Sequence, residues 1–193
     1  MAQFTDITDA QSYSAALLIG DKARFRPTTD EDLPVLSEWW ADPRWAVLQQ
    51  STIRPMPATA IEAMFRQWSA NTDPNSVGFS IEGLSGEGLV GHITLYGAMI
   101  PERAATLAVI VGPDHVGHGY GSDAVRTMVR YGFLQMGLNR IELRTWAFNS
   151  RGIRVYAKAG FTEEGRLRDA VFYDGDFHDQ VIMSILQREW SRA

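Results

Sequence analysis

The strongest chemical signal in the chain is Val111-Gly112-Pro113-Asp114-His115-Val116-Gly117-His118-Gly119-Tyr120-Gly121-Ser122-Asp123. An apolar run, Leu107 to Val111, leads into it. A helical stripe of Val125, Met128, Val129, Gly132, Phe133 and Met136 leads out. Alternating glycines allow positive φ and let an oxyanion approach the backbone without a Cβ in the way. Successive N–H groups at a helix start then offer donors and partial positive charge to a phosphate. The stretch lacks the GxxxxGK[ST] spacing of a P-loop and only approximates GxGxxG. A dinucleotide site would also want an acidic residue at the end of the next strand, where this chain has Phe148-Asn149. Dinucleotide binding is therefore the weaker option.

A second constellation follows in Asn149-Ser150-Arg151-Gly152-Ile153-Arg154-Val155-Tyr156-Ala157-Lys158-Ala159-Gly160-Phe161. Asn149 suits a helix N-cap and Gly160 a helix end. Ile153, Tyr156, Ala157 and Gly160 share one face, which turns Tyr156 toward the sheet. A phenol there serves core packing or acid catalysis, and helical spacing does not separate the two.

Other chemistries are narrowed by composition. The chain has no cysteine, which excludes disulfides, thiolate metal sites and a cysteine nucleophile. His92, His115, His118 and His178 lack metal-ligand spacing, so no metal is expected. The net charge of -5 gives no basic footprint for nucleic acid or anionic lipid. The N-terminus lacks a basic n-region and no window approaches a membrane span, so a cytoplasmic setting is expected, with neither membrane nor nucleic acid as partner.

The elements that must position these residues can be placed along 193 residues. Residues 1–16 are expected to form a loose arm or short helix, and 17–193 a single domain. Leu17 to Arg26 reads as a short hairpin. A helix begins at Thr28 to Asp32, carries Leu33, Leu36, Trp39 and Trp40, and stops near Pro43. Another follows Pro57 with Ile61, Met64, Phe65 and Trp68. Residues 77–82 and 89–95 alternate as a hairpin, and Thr106 to Val111 is a third strand. Helix 119–136, strand 140–147, helix 150–159 and a strand come next. A final hairpin turns at Asp174-Gly175-Asp176 and runs into a last strand, 181–186. The pattern predicts one α/β domain built around a mixed sheet.

In this order and spacing, VGPDHVGHGYGSDAV and NSRGIRVYAKAGF resemble the acyl-CoA loop and Asn…Tyr helix of the GNAT superfamily of N-acyltransferases. Ala23-Arg24-Phe25-Arg26-Pro27 with Glu31-Asp32-Leu33, and Gly165-Arg166-Leu167-Arg168 with Asp174-Gly175 and Asp179, are similar to its ribosomal-protein N-acetyltransferase-like branch. The resemblance covers nearly the whole chain from about residue 17. It implies a mostly antiparallel mixed sheet with helices on both faces, and acetyl transfer from acetyl-CoA directly to an amine. It further implies that backbone groups of Val109, Ile110 and Val111 pair with the pantetheine arm. Val116, Gly117, His118, Gly119, Tyr120, Gly121 and Ser122 would hold the pyrophosphate through their N–H groups. Asn149 would contact the pantetheine, and Tyr156 would protonate the leaving thiolate. A thiol near ~8.5 and a phenol near ~10 are close enough to share a proton.

Two positions depart from that pattern. Val116 stands where Gln or Arg is usual, which should weaken rather than abolish phosphate binding. Thr106 stands where the branch often carries a Glu able to deprotonate the amine. Glu82 and Glu142 are substitutes for that base, with solvent-facing positions the expectation for both. Loss of the base leans slightly toward an α-amine acceptor, whose neutral fraction at pH 7 exceeds that of an alkyl amine. Trp39, Trp40 and Trp45 serve a cationic acceptor pocket or the core. The acceptor, a protein N-terminus or a small-molecule amine, and a homodimeric state are left open, as is a non-catalytic acyl-CoA sensor on the same fold.

Overall fold

The computed structural model describes residues 4–50 and 52–190. Seven strands form one sheet: β1 (Ala23–Arg26), β2 (Val77–Gly83), β3 (Gly88–Met99), β4 (Ala104–Val111), β5 (Arg140–Trp146), β6 (Thr162–Tyr173) and β7 (Asp176–Leu186). Their order is β1-β2-β3-β4-β5-β7-β6, and every neighbouring pair is antiparallel except β4–β5. Helices α1 (Ile7–Leu17), α2 (Asp32–Ala41), α3 (Pro43–Ala46), α4 (Ala58–Trp68), α5 (Tyr120–Leu134) and α6 (Ser150–Lys158) complete it. On one face, Val125, Met128, Val129 and Phe133 of α5 share a core with strands from β1 to β7. On the other, Leu33 and Leu36 of α2 and Ile61 and Phe65 of α4 pack around Ile110 of β4. This is the expected α/β architecture, a mixed and mostly antiparallel sheet with helices on both faces.

The parallel β4–β5 ladder is only three residues long, Ala104–Thr106 against Arg140–Glu142. Beyond it β4 continues along β3 to Val111, while β5 continues along β7 to Trp146. The strands diverge after Thr106 and Glu142 and leave a wedge in the sheet. No periodicity in the sequence announces that wedge.

The expected hairpin at residues 17–26 forms only in a minimal version. Leu17 ends α1, an antiparallel Ile19–Arg24 bridge closes the turn, and the Gly20 and Phe25 N–H groups donate to Ala23 O and Leu18 O at 2.8 Å each. The proposed arm is helix α1, started by Asp6 accepting from the Thr8 and Asp9 N–H groups; residues 1–3 lie outside the described residues. The short α3, begun by Asp42 and Pro43, was not anticipated, and β7 begins five residues earlier than expected (Asp176 rather than 181).

Asp123, in the first turn of α5 and 2% exposed, ties the N-terminal segment to the helix. It accepts from the Asp21, Lys22 and Ala23 N–H groups at 3.0, 2.9 and 3.0 Å. Asp123→Ala strands the buried Ala23 N–H, at a cost of about 1–3 kcal/mol, while the amides of the exposed Asp21 and Lys22 can turn to water. For a domain of this size we expect a melting temperature lower by about 5–10 °C in calorimetry. A change under about 2 °C would show that water replaces the carboxylate.

Candidate active site

The wedge between β4 and β5 is a cavity of about 1210 Å³. Its walls include Thr106 to Val111 of β4; Glu142, Arg144 and Trp146 of β5; and Asn149, Val155 and Tyr156 at α6. One end is closed by Val116, Gly117, Gly119, Gly121 and Ser122.

The glycine loop leaves β4 through a single 3-10 turn, Pro113–His115, and then needs left-handed backbone. Gly117 and Gly119 have φ of +90° and +93°, and Gly119 is the N-cap of α5. The alternation separates two faces. The glycines border the cavity, whereas the Tyr120 ring is buried and lies beside His118. His118 and Tyr120 can therefore serve the cavity through backbone only. Gly121 has a different reason for being glycine, since an added Cβ would press on Val111 Cγ2 at 3.2 Å. Lys22, which nothing in the sequence singles out, reaches this loop and donates from Nζ to the His118 carbonyl at 2.8 Å.

On β4 the three expected backbone contacts reduce to two. The Gly112 N–H donates to Val90 O at 2.9 Å, which fixes the phase of the β3–β4 ladder. Alternation in an antiparallel pair then aims the Ile110 N–H and C=O at His92, and those of Val109 and Val111 at the wedge. The Ile110 side chain is buried between α2 and α4. Val109 and Val111 thus offer free strand-edge groups, and Ile110 does not.

Asn149 caps α6, accepting from the Gly152 N–H at 3.0 Å while its Nδ2 donates to Thr145 Oγ1 at 3.0 Å. These bonds hold its side chain at the cavity wall. Tyr156 is half-buried on the same wall, with Phe161 at 6.1 Å between ring centroids. Burial alone pushes its phenol up to about 12. It is therefore fully protonated at neutral pH, and further above a thiol than an unperturbed phenol would be.

The acceptor side differs from expectation in its carboxylates. Glu82 lies away from the cavity, bonded to Arg24 and Arg26 at 2.7 and 2.6 Å. Glu142 is not simply solvent-facing: it lines the cavity beside Thr106, its ladder partner, and pairs with Arg140 at 3.1 Å. Trp40 and Trp45 line the cavity, as does Trp68, whereas Trp39 packs against His115. Arg151 sits over the Trp45 ring at 5.9 Å. Among the described residues, no group of three His, Asp or Glu side chains is placed to hold a metal ion.

Comparison with known proteins agrees with this geometry. The family model described as acetyltransferase (GNAT) domain matches residues 22–162. An uncharacterized N-acetyltransferase, p20, of Bacillus licheniformis is 29% identical over 178 residues, covering 90% of this chain and 98% of that protein. The putative ribosomal N-acetyltransferase YdaF of Bacillus subtilis is 33% identical over 102 residues, 53% of this chain and only 56% of YdaF. Among solved structures, spermidine N-acetyltransferase from Vibrio cholerae in complex with CoA and spermine superposes with a TM-score of 0.77. That match has 22% identity and covers 86% of this chain and 96% of the other.

Proposed function

The chain belongs to the GNAT acetyltransferase family and is an acetyl-CoA-dependent N-acetyltransferase, and we propose that transfer to the amine occurs in the wedge between β4 and β5. The observation that carries this reading is the three-residue β4–β5 ladder. It frees the Val109 and Val111 backbone groups along a cleft that ends in a run of loop N–H groups. A pantetheine arm, with its own amides, suits the strand edge, and a pyrophosphate suits the turn from Val116 to Ser122. The dipole of α5 adds to the attraction for that anion. Asn149 holds the arm beside β5, and Tyr156 supplies the proton that the departing sulfur takes up. No side chain becomes acylated: the amine attacks the thioester carbon directly.

The acceptor end of the cleft is balanced in charge, with Asp73 and Glu142 against Arg144 and Arg151. A polyamine would find no surplus of carboxylates there. A single amine, as on a protein N-terminus or a small molecule, fits better, with the tryptophan rings facing its cation. A cytoplasmic setting without nucleic-acid or membrane partners belongs to the same proposal. It is supported by the net charge, and no helix among the described residues is long and apolar enough to cross a membrane.

Calorimetric titration should find CoA binding with a dissociation constant on the order of micromolar. Thiol release from acetyl-CoA should then follow addition of a peptide N-terminus or a monoamine more strongly than addition of spermidine. Binding without thiol release from any amine would return the acyl-CoA sensor, and preference for spermidine would overturn the charge reading.

A further inference from the structure

An ammonium acceptor brings three protons on nitrogen. The amide keeps one, the thiol takes one, and the third must leave at each turnover. Thr106 cannot take it, Glu142 is tied to Arg140, Asp73 accepts from the Asn75 N–H at 2.8 Å, and Glu82 lies elsewhere. We propose that this proton leaves through His92 and Ser69, which link the transfer cleft to a second, smaller cavity beyond the C-terminal end of α4. The inference rests on the N-acetyltransferase reading and adds its proton exit.

His92 stands on β3, 2% exposed, and lines the cleft. Its Nε2 lies 2.7 Å from Ser69 Oγ. Ser69 lines a separate cavity of about 230 Å³, together with Thr28, Asp30 and Arg66, and Ala70 borders both cavities. The exposed Asp30–Arg66 pair forms the solvent rim of that second cavity. One imidazole and one hydroxyl therefore bridge the two spaces. The hydroxyls continue inward: Thr28 Oγ1 lies 3.0 Å from Ser69 Oγ, and Ser80 Oγ lies 3.0 Å from Thr28. Ser80 in turn donates to Asp32 Oδ2 at 2.8 Å. Burial works to raise the Asp32 carboxyl, but Arg26, the Thr29 N–H and Ser80 together hold it below the usual range. This fixed anion orients the hydroxyl file. The segment that follows Ser69 is tied to β2 by Asn71, whose side chain exchanges two hydrogen bonds, of 2.8 and 3.0 Å, with the Gly78 backbone.

Burial keeps His92 neutral down to about pH 4, against the weaker pull of Asp32. A neutral imidazole shuttles without storing charge. Nδ1 takes the proton from the amine nitrogen as Nε2 gives its own to Ser69 Oγ. Ser69 then passes a proton to Thr28 or to solvent in the second cavity. A ring flip and rotation of the hydroxyls restore the starting tautomer.

The test compares Ser69→Ala, His92→Gln and Glu142→Gln with the parent, on amines graded in pKa. Gln at 92 can keep the bond to Ser69 but cannot shuttle. In both relay variants kcat with an alkyl amine should fall about 10- to 100-fold, the scale of positioned proton transfer. With an amine already neutral at pH 7 it should stay within about threefold, because no proton transfer must precede attack. CoA affinity should stay at the parental value and circular dichroism should find both relay variants folded, and imidazole ¹⁵N NMR of the parent should find His92 neutral with a proton on Nε2. Equal losses for both amine classes, or a loss confined to Glu142→Gln, would overturn the relay. A parent that binds CoA but acetylates no amine would overturn the transferase reading and the relay with it.

Discussion

Gly119→Val should weaken CoA binding by at least about a hundredfold and leave a folded protein, as followed by titration and circular dichroism. The physical cause is the backbone. Gly119 holds φ of +93° as the N-cap of α5, where a β-branched residue is strained by about 1–3 kcal/mol. Relief of that strain would rotate the peptide groups of the loop, whose N–H groups are proposed to hold the pyrophosphate. An added Cβ would also meet the Lys22 side chain at 3.3 Å, which is flexible and can withdraw. Gly119→Asn tolerates left-handed backbone better and should lose much less affinity. Equal losses in the two variants would shift the cause from backbone angle to the Cβ itself. Gly121→Val is a poorer probe, because its Cβ tests packing against Val111 as much as binding.

Tyr156→Phe should lower kcat by about 10²-fold with little change in CoA affinity or melting temperature. The ring still fills its place beside Phe161, and only the proton donor is lost. With the phenol raised to about 12, the parent should show no alkaline fall in rate from this group between pH 7 and 10. Donation is uphill toward a free thiolate and so must accompany cleavage of the carbon–sulfur bond. A near-parental kcat would return Tyr156 to a packing role, with water protonating the sulfur.

Local signals carried much of this site. The alternating glycines, the N-cap at Asn149 and the inward face of Tyr156 are each set by neighbours within a few residues, so they could be found in the sequence. The remainder depends on pairs far apart in the chain. Lys22 meets His118 across 96 positions, and Ser69 meets His92 across 23. Glu142 enters the cavity because its strand pairs with β4 for three residues and then turns away. The hairpin at 17–26 is shorter than expected for a related reason. Its first strand is cut back by α1, which runs to Leu17, and Asp123 takes the 21–23 amides from outside the local segment.

The short β4–β5 ladder also has a mechanical meaning. Strands β1–β4 and β5–β7 are two stiff panels riveted together at one corner, with the hydrophobic layer of α5 as their common backing. Without co-substrate, the Val109 and Val111 amides should exchange with deuterium far faster than the Ile110 amide between them, which is locked into β3. A ligand that bonds to one panel and lies along the other would slow that exchange and sharpen the unfolding transition. The co-substrate would then act as the missing length of seam, and the enzyme would be at its stiffest when loaded for transfer.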